Sequence, residues 1–486
     1  MFEELSRRVG QWDAQTQRPG YRLGGALLGV AVLCVILALP LPDGLPEAGR
    51  RTAAVAALMA LWWVGRVFPM AVTALVPLVA FPLLGVASVK AAAAPFAHPL
   101  NFLMLGGFLL AAGMERVGLH RRLTALVLRP AWVRSDPRRV VLALMAVTAA
   151  LSGLVSNTAT TVMMLPLALS LGHLCSDNPR TVSGFALALA YAASIGGVWS
   201  LVGTPPNAVF AAEAAAAGFD VGFAQWMALG LPFTILALPL AWLVVTRVVI
   251  PIPRPQGWSL DRPATPEWEA GERPVLGIVA LAMFAWMSRS QWQDWLPYSG
   301  SELDAMVALA AAAAVFLLPG PMREGSRGFL LTWSRAETAV PWSVLLLLGG
   351  GFSLATQIKA TALTAWLASG AEYLEGWPLL MTTGAVTVSM TFITELTSNT
   401  ASTQIALPLM AEAAVKAGVS PLIWMIAATM SASCAFMMPV ATAPNAIAVE
   451  AGGVSPADMA LAGILLNGLL AGAVALWAVA VVPVLF

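Results

Sequence analysis

Charge is what this sequence has least of. Only 10% of its 486 residues are Asp, Glu, Lys or Arg, where a soluble domain carries about 25%. Hydrophobic residues make up 59% of the chain and the mean hydropathy is +0.80. This excludes a soluble fold and predicts an all-α polytopic membrane protein. Lysine is nearly missing, at Lys90, Lys359 and Lys416 only, so almost every basic residue is Arg. The formal net charge of +1 leaves no basis for binding nucleic acid. Cysteine (Cys34, Cys175, Cys434) and histidine (His98, His120, His173) occur three times each, far apart. That excludes a disulfide framework and argues against a metal centre. No Ser/His, paired-Asp or His-Glu-x-x-His arrangement is present to equip an intramembrane enzyme, and nothing calls for an organic cofactor.

Against this apolar background two polar clusters stand out. Ser156-Asn157-Thr158 and Ser398-Asn399-Thr400 lie 242 positions apart, each followed at the same distance by Leu-Pro (Leu165-Pro166, Leu407-Pro408). Three adjacent polar side chains within an apolar run cost free energy unless they bind something. A lone Ser or Thr in a membrane helix is ordinary interhelical glue; recurrence in matching contexts favours a site.

Taken in order, the chain begins with a polar tail, 1–22, carrying Arg7, Arg8, Arg18 and Arg22, then an apolar run at about 23–41. A basic start before an apolar run also fits a signal peptide. The many spans that follow favour a first transmembrane helix with a cytoplasmic N-terminus. Further spans are predicted at about 52–68, 69–88 and 99–117. A basic connector, 115–139, includes a surface helix over Glu115 to Arg122. Residues 140–174 have no charge, and as one helix they would run about 50 Å through a core of about 30 Å. Two half-length helices meeting at the first triplet, a re-entrant hairpin over about 139–174, fit better. Basic residues on both flanks place it on the cytoplasmic side. A second apolar run, about 182–217, is broken by Gly203-Thr204-Pro205-Pro206-Asn207, where paired prolines cannot continue a helix. A span at 226–249 closes a first half, 23–250, and a Pro-rich cytoplasmic linker, 251–274, follows.

The second half, 275–486, has spans near 275–290, 304–318 and 341–358, with Arg323, Arg327 and Arg335 in a cytoplasmic loop between the last two. A second hairpin, about 377–414, has Glu395 as its only intramembrane charge and no Arg on its flanks, so it opens to the outside. A broken helix, about 421–450, is interrupted at Ala441-Thr442-Ala443-Pro444-Asn445, and a last span covers 458–484. The expectation is about eleven transmembrane helices plus two re-entrant hairpins, with the C-terminus outside. Gly106-Gly107-Phe108 is echoed by Gly350-Gly351-Phe352, and Asn207 by Asn445. Two similar halves of opposite charge bias indicate an inverted-topology repeat, which in transporters puts the site near the midplane where broken helices meet.

The chemistry on offer is that of an anion and a small cation. Half-helix N-termini attract negative charge. Hydroxyls and carbonyls freed at the breaks are hard oxygen ligands. Ser152 and Ser156 share a helical face by their spacing, as do Thr394 and Ser398. Each hairpin with its facing break, at Gly203 or Ala441, is suited to cage one Na⁺, whose charge then helps hold an anionic substrate. Glu395 reads equally as a functional acid or as a residue held by hydrogen bonds behind the site.

The segments SNTATT, GTPPNAV, ITELTSNTAST and ATAPNAI resemble the signature motifs of the divalent anion:sodium symporter family, across nearly the whole chain beyond the tail. The resemblance implies Na⁺-coupled symport of C4-dicarboxylates such as succinate, fumarate or malate, by a homodimer with an elevator-type mechanism in the inner (plasma) membrane. Its variants would be a Na⁺-independent dicarboxylate exchanger, or a carrier of sulfate, another oxyanion or citrate. Carried over by motif, one Na⁺ site would use Ser152, Ser156, Asn157 and Gly203, and the other Thr394, Thr397, Asn399 and Ala441. Substrate carboxylates would meet both triplets, Ser156-Asn157-Thr158 and Ser398-Asn399-Thr400, together with Thr204 and Thr442. Ala443 departs from the family's usual Pro, which predicts a looser backbone around Thr442.

Overall fold

A long apolar run can satisfy its backbone groups in lipid only by coiling, and helices dominate the computed structural model. It describes residues 19–254, 257–264, 267–268, 270–320 and 328–486. The tail bearing Arg7, Arg8 and Arg18, parts of the Pro-rich linker, and Arg323 and Arg327 lie outside the described residues. Among these residues the only β pairing is an isolated bridge between Pro319 and Phe329, and nine helices are long and apolar enough to cross a membrane. The protein is a multi-pass membrane protein.

The helices that matter for the site are these. In the first half they are α1 (Pro19–Ala38), α2 (Glu47–Val64), α3 (Pro99–Arg116), α4 (Leu119–Val127), α5 (Pro137–Ser152), α6 (Asn157–Cys175), α7 (Pro179–Gly196), α8 (Pro205–Ala216) and α9 (Phe223–Leu243). In the second they are α10 (Glu272–Met287), α11 (Gly300–Leu317), α12 (Trp342–Ala360), α13 (Leu379–Leu396), α14 (Asn399–Lys416), α15 (Pro421–Ala432), α16 (Ala443–Glu450) and α17 (Pro456–Leu485). Residues 69–88, expected as one span, instead form two short helices, Met70–Thr73 and Val76–Leu83. Pro69, Pro77 and Pro82 limit each run, because proline cannot donate to the helical ladder.

Glycines set the closest approaches. A Cβ on Gly106 would stand 2.6 Å from the Ala308 carbonyl carbon, and one on Gly113 2.6 Å from Val315 Cγ1. These glycines, seven apart, let α3 lie directly against α11. Gly350 does the same for α12, where a Cβ would meet the Ala74 carbonyl oxygen at 2.1 Å. The Gly106 and Gly350 echo is thus a packing device in both halves.

Two helices form the buried centre. Every residue of α7 from Thr181 to Gly196 is buried, as is every residue of α15 from Leu422 to Ala432. Helix α7 packs between α5 and α6, and α15 between α13 and α14. The halves also interlock: α16 lies against α6 and α7, while α8 lies against α14 and α15. Each hairpin therefore touches the helix that follows the other half's break.

Candidate functional site

Both long apolar runs break beside their triplets. Helix α5 stops at Ser152, and α6 starts at Asn157. Ser156 is the N-cap of α6, its Oγ accepting from the Ala159 N–H at 3.2 Å, so Asn157 and Thr158 open the first turn. In the second half α13 stops at Leu396 and α14 starts at Asn399, after Thr397 and N-cap Ser398. The triplets are thus helix starts, with free N–H groups and a partial positive charge.

Behind each tip three oxygens converge. Ser152 Oγ lies 2.6 Å from Asn157 Oδ1 and 2.7 Å from the Ala193 carbonyl. Thr394 Oγ1 lies 2.6 Å from Asn399 Oδ1 and 3.0 Å from the Ala432 carbonyl. A hydroxyl has one proton and donates to one acceptor at a time, so each cluster holds more acceptor oxygen than its proton can serve. Such donor sets, hydroxyl, amide and carbonyl without a carboxylate, suit a weakly bound cation that must also leave. Thr397 Oγ1 donates to the Ile393 carbonyl at 2.9 Å and contacts Ser402 Oγ.

The breaks are folded alike. Asn207 Nδ2 donates to the carbonyls of Gly197 and Ser200 (2.9 and 2.7 Å), and Asn445 Nδ2 to those of Ala435 and Met438 (3.0 and 3.1 Å). Each asparagine gathers carbonyls that the break took out of the helical ladder. Gly203 has no room for a side chain, since a Cβ would meet the Gly197 carbonyl oxygen at 2.5 Å. With Ala443 in place of Pro, Thr442 takes an extended conformation like that of Thr204: φ −137°, ψ 151° against φ −148°, ψ 142°. Thr442 Oγ1 additionally accepts from the Asn445 N–H at 3.3 Å.

The structure brings most of the sequence-derived residues to one cavity of about 580 Å³. Ser156, Asn157, Thr158, Gly203 and Thr204 line it from the first half. Thr397, Ser398, Asn399, Thr400, Ala441 and Thr442 line it from the second. Ser152 and Thr394 do not reach the wall; they are fully buried behind the hairpin tips. Sequence reading missed Arg66, the run from Thr338 to Pro341, and Ser343 and Val344, which also line the cavity. Arg66 follows α2 in a left-handed conformation (φ 47°), and its Nη2 donates to the Val440 carbonyl at 2.6 Å. A charge inside a stretch read as a span was the available signal.

Glu395 is not on the cavity wall. Its carboxylate accepts from the N–H groups of Phe436, Met437 and Met438 (2.7, 2.8 and 3.0 Å) and from Asn467 Nδ2 of α17 (2.6 Å). Of its two sequence readings, the structure selects the residue held by hydrogen bonds behind the site. The 242-residue offset between the triplets places Gly153 where the second half has Glu395. There Trp199 fills the space: a Cβ on Gly153 would lie 2.0 Å from Trp199 Nε1, and that Nε1 donates to the Ala149 carbonyl at 3.0 Å. One hairpin tip is held by ring volume, the other by a hydrogen-bonded carboxylate.

Comparison with known proteins agrees with this geometry. A family model described as citrate transporter matches residues 59–429. The sodium-dependent dicarboxylate transporter SdcS of Staphylococcus saprophyticus is 33% identical over 463 residues, covering 92% of this chain and 88% of that protein. SdcS of Staphylococcus aureus strain USA300 is 32% identical over the same length. Among solved structures, the Alcanivorax borkumensis YdaH transporter, described as having an unusual topology, superposes with a TM-score of 0.57. At 15% identity, over 80% of this chain and 87% of that one, it speaks for the fold alone. With paired Ser-Asn-Thr tips and Pro-Asn breaks around one cavity, and relatives matching over 92% of its length, the chain belongs to the divalent anion:sodium symporter family.

Proposed function

We propose that the chain is a secondary active transporter that carries a C4-dicarboxylate, such as succinate, fumarate or malate, inward together with Na⁺. The observation that carries this reading is the convergence of both triplets and both breaks on one cavity. The sodium-dependent dicarboxylate transporters among its relatives supply the substrate class. Ser156-Asn157-Thr158 and Ser398-Asn399-Thr400, with Thr204 and Thr442, face the substrate carboxylates through hydroxyls, amides and helix-start N–H groups. One Na⁺ is held by Ser152, Ser156, Asn157 and Gly203, the other by Thr394, Thr397, Asn399 and Ala441. The excess oxygen behind each tip supports these assignments. Both ions offset substrate charge in a low-dielectric setting, so anion and cation bind best together.

In this reading the two halves, 23–250 and 275–486, form an inverted repeat, with the first hairpin opening to the cytoplasm and the second to the outside. The N-terminus is cytoplasmic and the C-terminus outside, in the inner (plasma) membrane. The protein works as a homodimer. A transport domain carrying both hairpins moves the cavity across, elevator fashion, against a scaffold.

The test is uptake of labelled succinate into proteoliposomes under an inward Na⁺ gradient, with choline as control. Uptake that follows the gradient is expected; uptake indifferent to Na⁺ points to an exchanger. The family model's description favours one second reading, a tricarboxylate carrier on the same site, and dominant competition by citrate in the same assay would select it.

A further inference from the structure

A second cavity, of about 340 Å³, lies beyond the first hairpin and is lined by Arg116, Arg121 and Arg335. Arg116 ends α3, Arg121 belongs to α4, and Arg335 sits on the short helix Trp333–Ala339. Among the described residues none of the three forms an ion pair. Their neighbour Arg122 shows the contrast: it is buried against the Glu272 carboxylate and stacks on Trp268 at 3.7 Å. The wall offers one carboxylate, Glu115, against three guanidinium groups. His120 also lines it; burial and nearby Arg121 push its pKa down to about 4, so its ring is neutral at pH 7. Arg116 Nε and His120 Nδ1 are buried with no hydrogen-bond partner.

A small void of about 30 Å³ lies between this cavity and the carrier site. Its wall shares Ala112, Glu115 and Ala339 with the basic cavity, and Phe108, Ser156 and Pro341 with the carrier cavity. An excess of positive charge in a concave space of ligand size concentrates small anions, and only the small void separates this one from Ser156 of the first triplet.

We propose that the cavity of Arg116, Arg121 and Arg335 is a second, Na⁺-independent binding site for the carboxylate substrate, an anteroom that it occupies between the aqueous phase and the carrier cavity. The proposal rests on the reading of the chain as a dicarboxylate carrier. Bidentate guanidinium–carboxylate contacts are the chemistry it offers. A phosphate of an anionic lipid headgroup shares that chemistry, and the experiment separates the two.

Succinate is titrated calorimetrically into the full chain carrying Asn157→Ala and Asn399→Ala, in nanodiscs of phosphatidylcholine and in Na⁺-free buffer. These substitutions disable the carrier cavity and leave the anteroom untouched. Residual, salt-sensitive succinate binding is expected. Adding Arg121→Gln and Arg335→Gln should weaken it by about tenfold or more. Both side chains are exposed, so glutamine removes charge without disturbing the core. No residual binding, or residual binding that the glutamines leave unchanged, overturns the proposal. So does a cavity that binds phosphatidylglycerol added to the discs yet takes no succinate in phosphatidylcholine alone. Failure of Na⁺-driven uptake by the unaltered chain is a separate result: it removes the carrier reading and does not alter the calorimetric outcome.

Discussion

Asn157 and Asn399 each do two things: their side-chain oxygens meet a buried hydroxyl at 2.6 Å, and their backbones open a helix facing the cavity. Replacing either with Ala should cut Na⁺-driven succinate uptake by about tenfold or more, since each tenfold is about 1.4 kcal/mol and a lost partner to a buried charged ligand exceeds that. Melting temperature without ligand should change little, which separates a site defect from a folding defect. If both variants transport normally, the site assignment is wrong. The triplets were legible in the sequence because polar residues inside an apolar run must have a reason to be there. The partners of Glu395 were not, because they come from positions 41 to 72 residues away and depend on how α13 meets the break after α15 and the helix α17. Arg66 escaped notice because its role depends on a contact with Val440, 374 residues distant.

At the level of helices, each hairpin tip depends on a single anchor behind it. Gly153→Ala drives a methyl into the Trp199 ring, and overpacking of this kind costs about 1–3 kcal/mol; a fall in melting temperature measured in detergent is the expected sign. Glu395→Ala strips the acceptor from three backbone N–H groups and from Asn467. At about 1–3 kcal/mol for each stranded donor, the loss should exceed that of Gly153→Ala. Equal or smaller destabilisation would mean that water satisfies those amides and that Glu395 anchors nothing. Helix positions followed from apolar run length, which is why α3, α11, α12 and α17 match their expected spans closely. The 69–88 region did not follow, because three prolines outweigh its hydropathy.

For the whole molecule, substrate and Na⁺ should stabilise the fold jointly. A ligand that binds only the folded state raises the melting temperature by mass action. Succinate should therefore raise it in Na⁺ and not in choline, and a shift of equal size in both would favour exchange over symport. The interlock of α8 with the second hairpin and of α16 with the first makes that response global rather than local to one half. The unequal anchors set a limit on which parts of the two halves are interchangeable. A chimera that grafts the tip bearing Glu395 onto the first hairpin would push a carboxylate into an indole, and the reciprocal graft would face a bare glycine toward three amides. A hairpin transplanted together with its own break keeps ring against glycine and carboxylate against backbone amides, leaving only the Asn467 contact of Glu395 outside the pair. The smallest heritable module of this protein is therefore a pair of segments some forty residues apart in the chain, and divergence at one of them is constrained by the other.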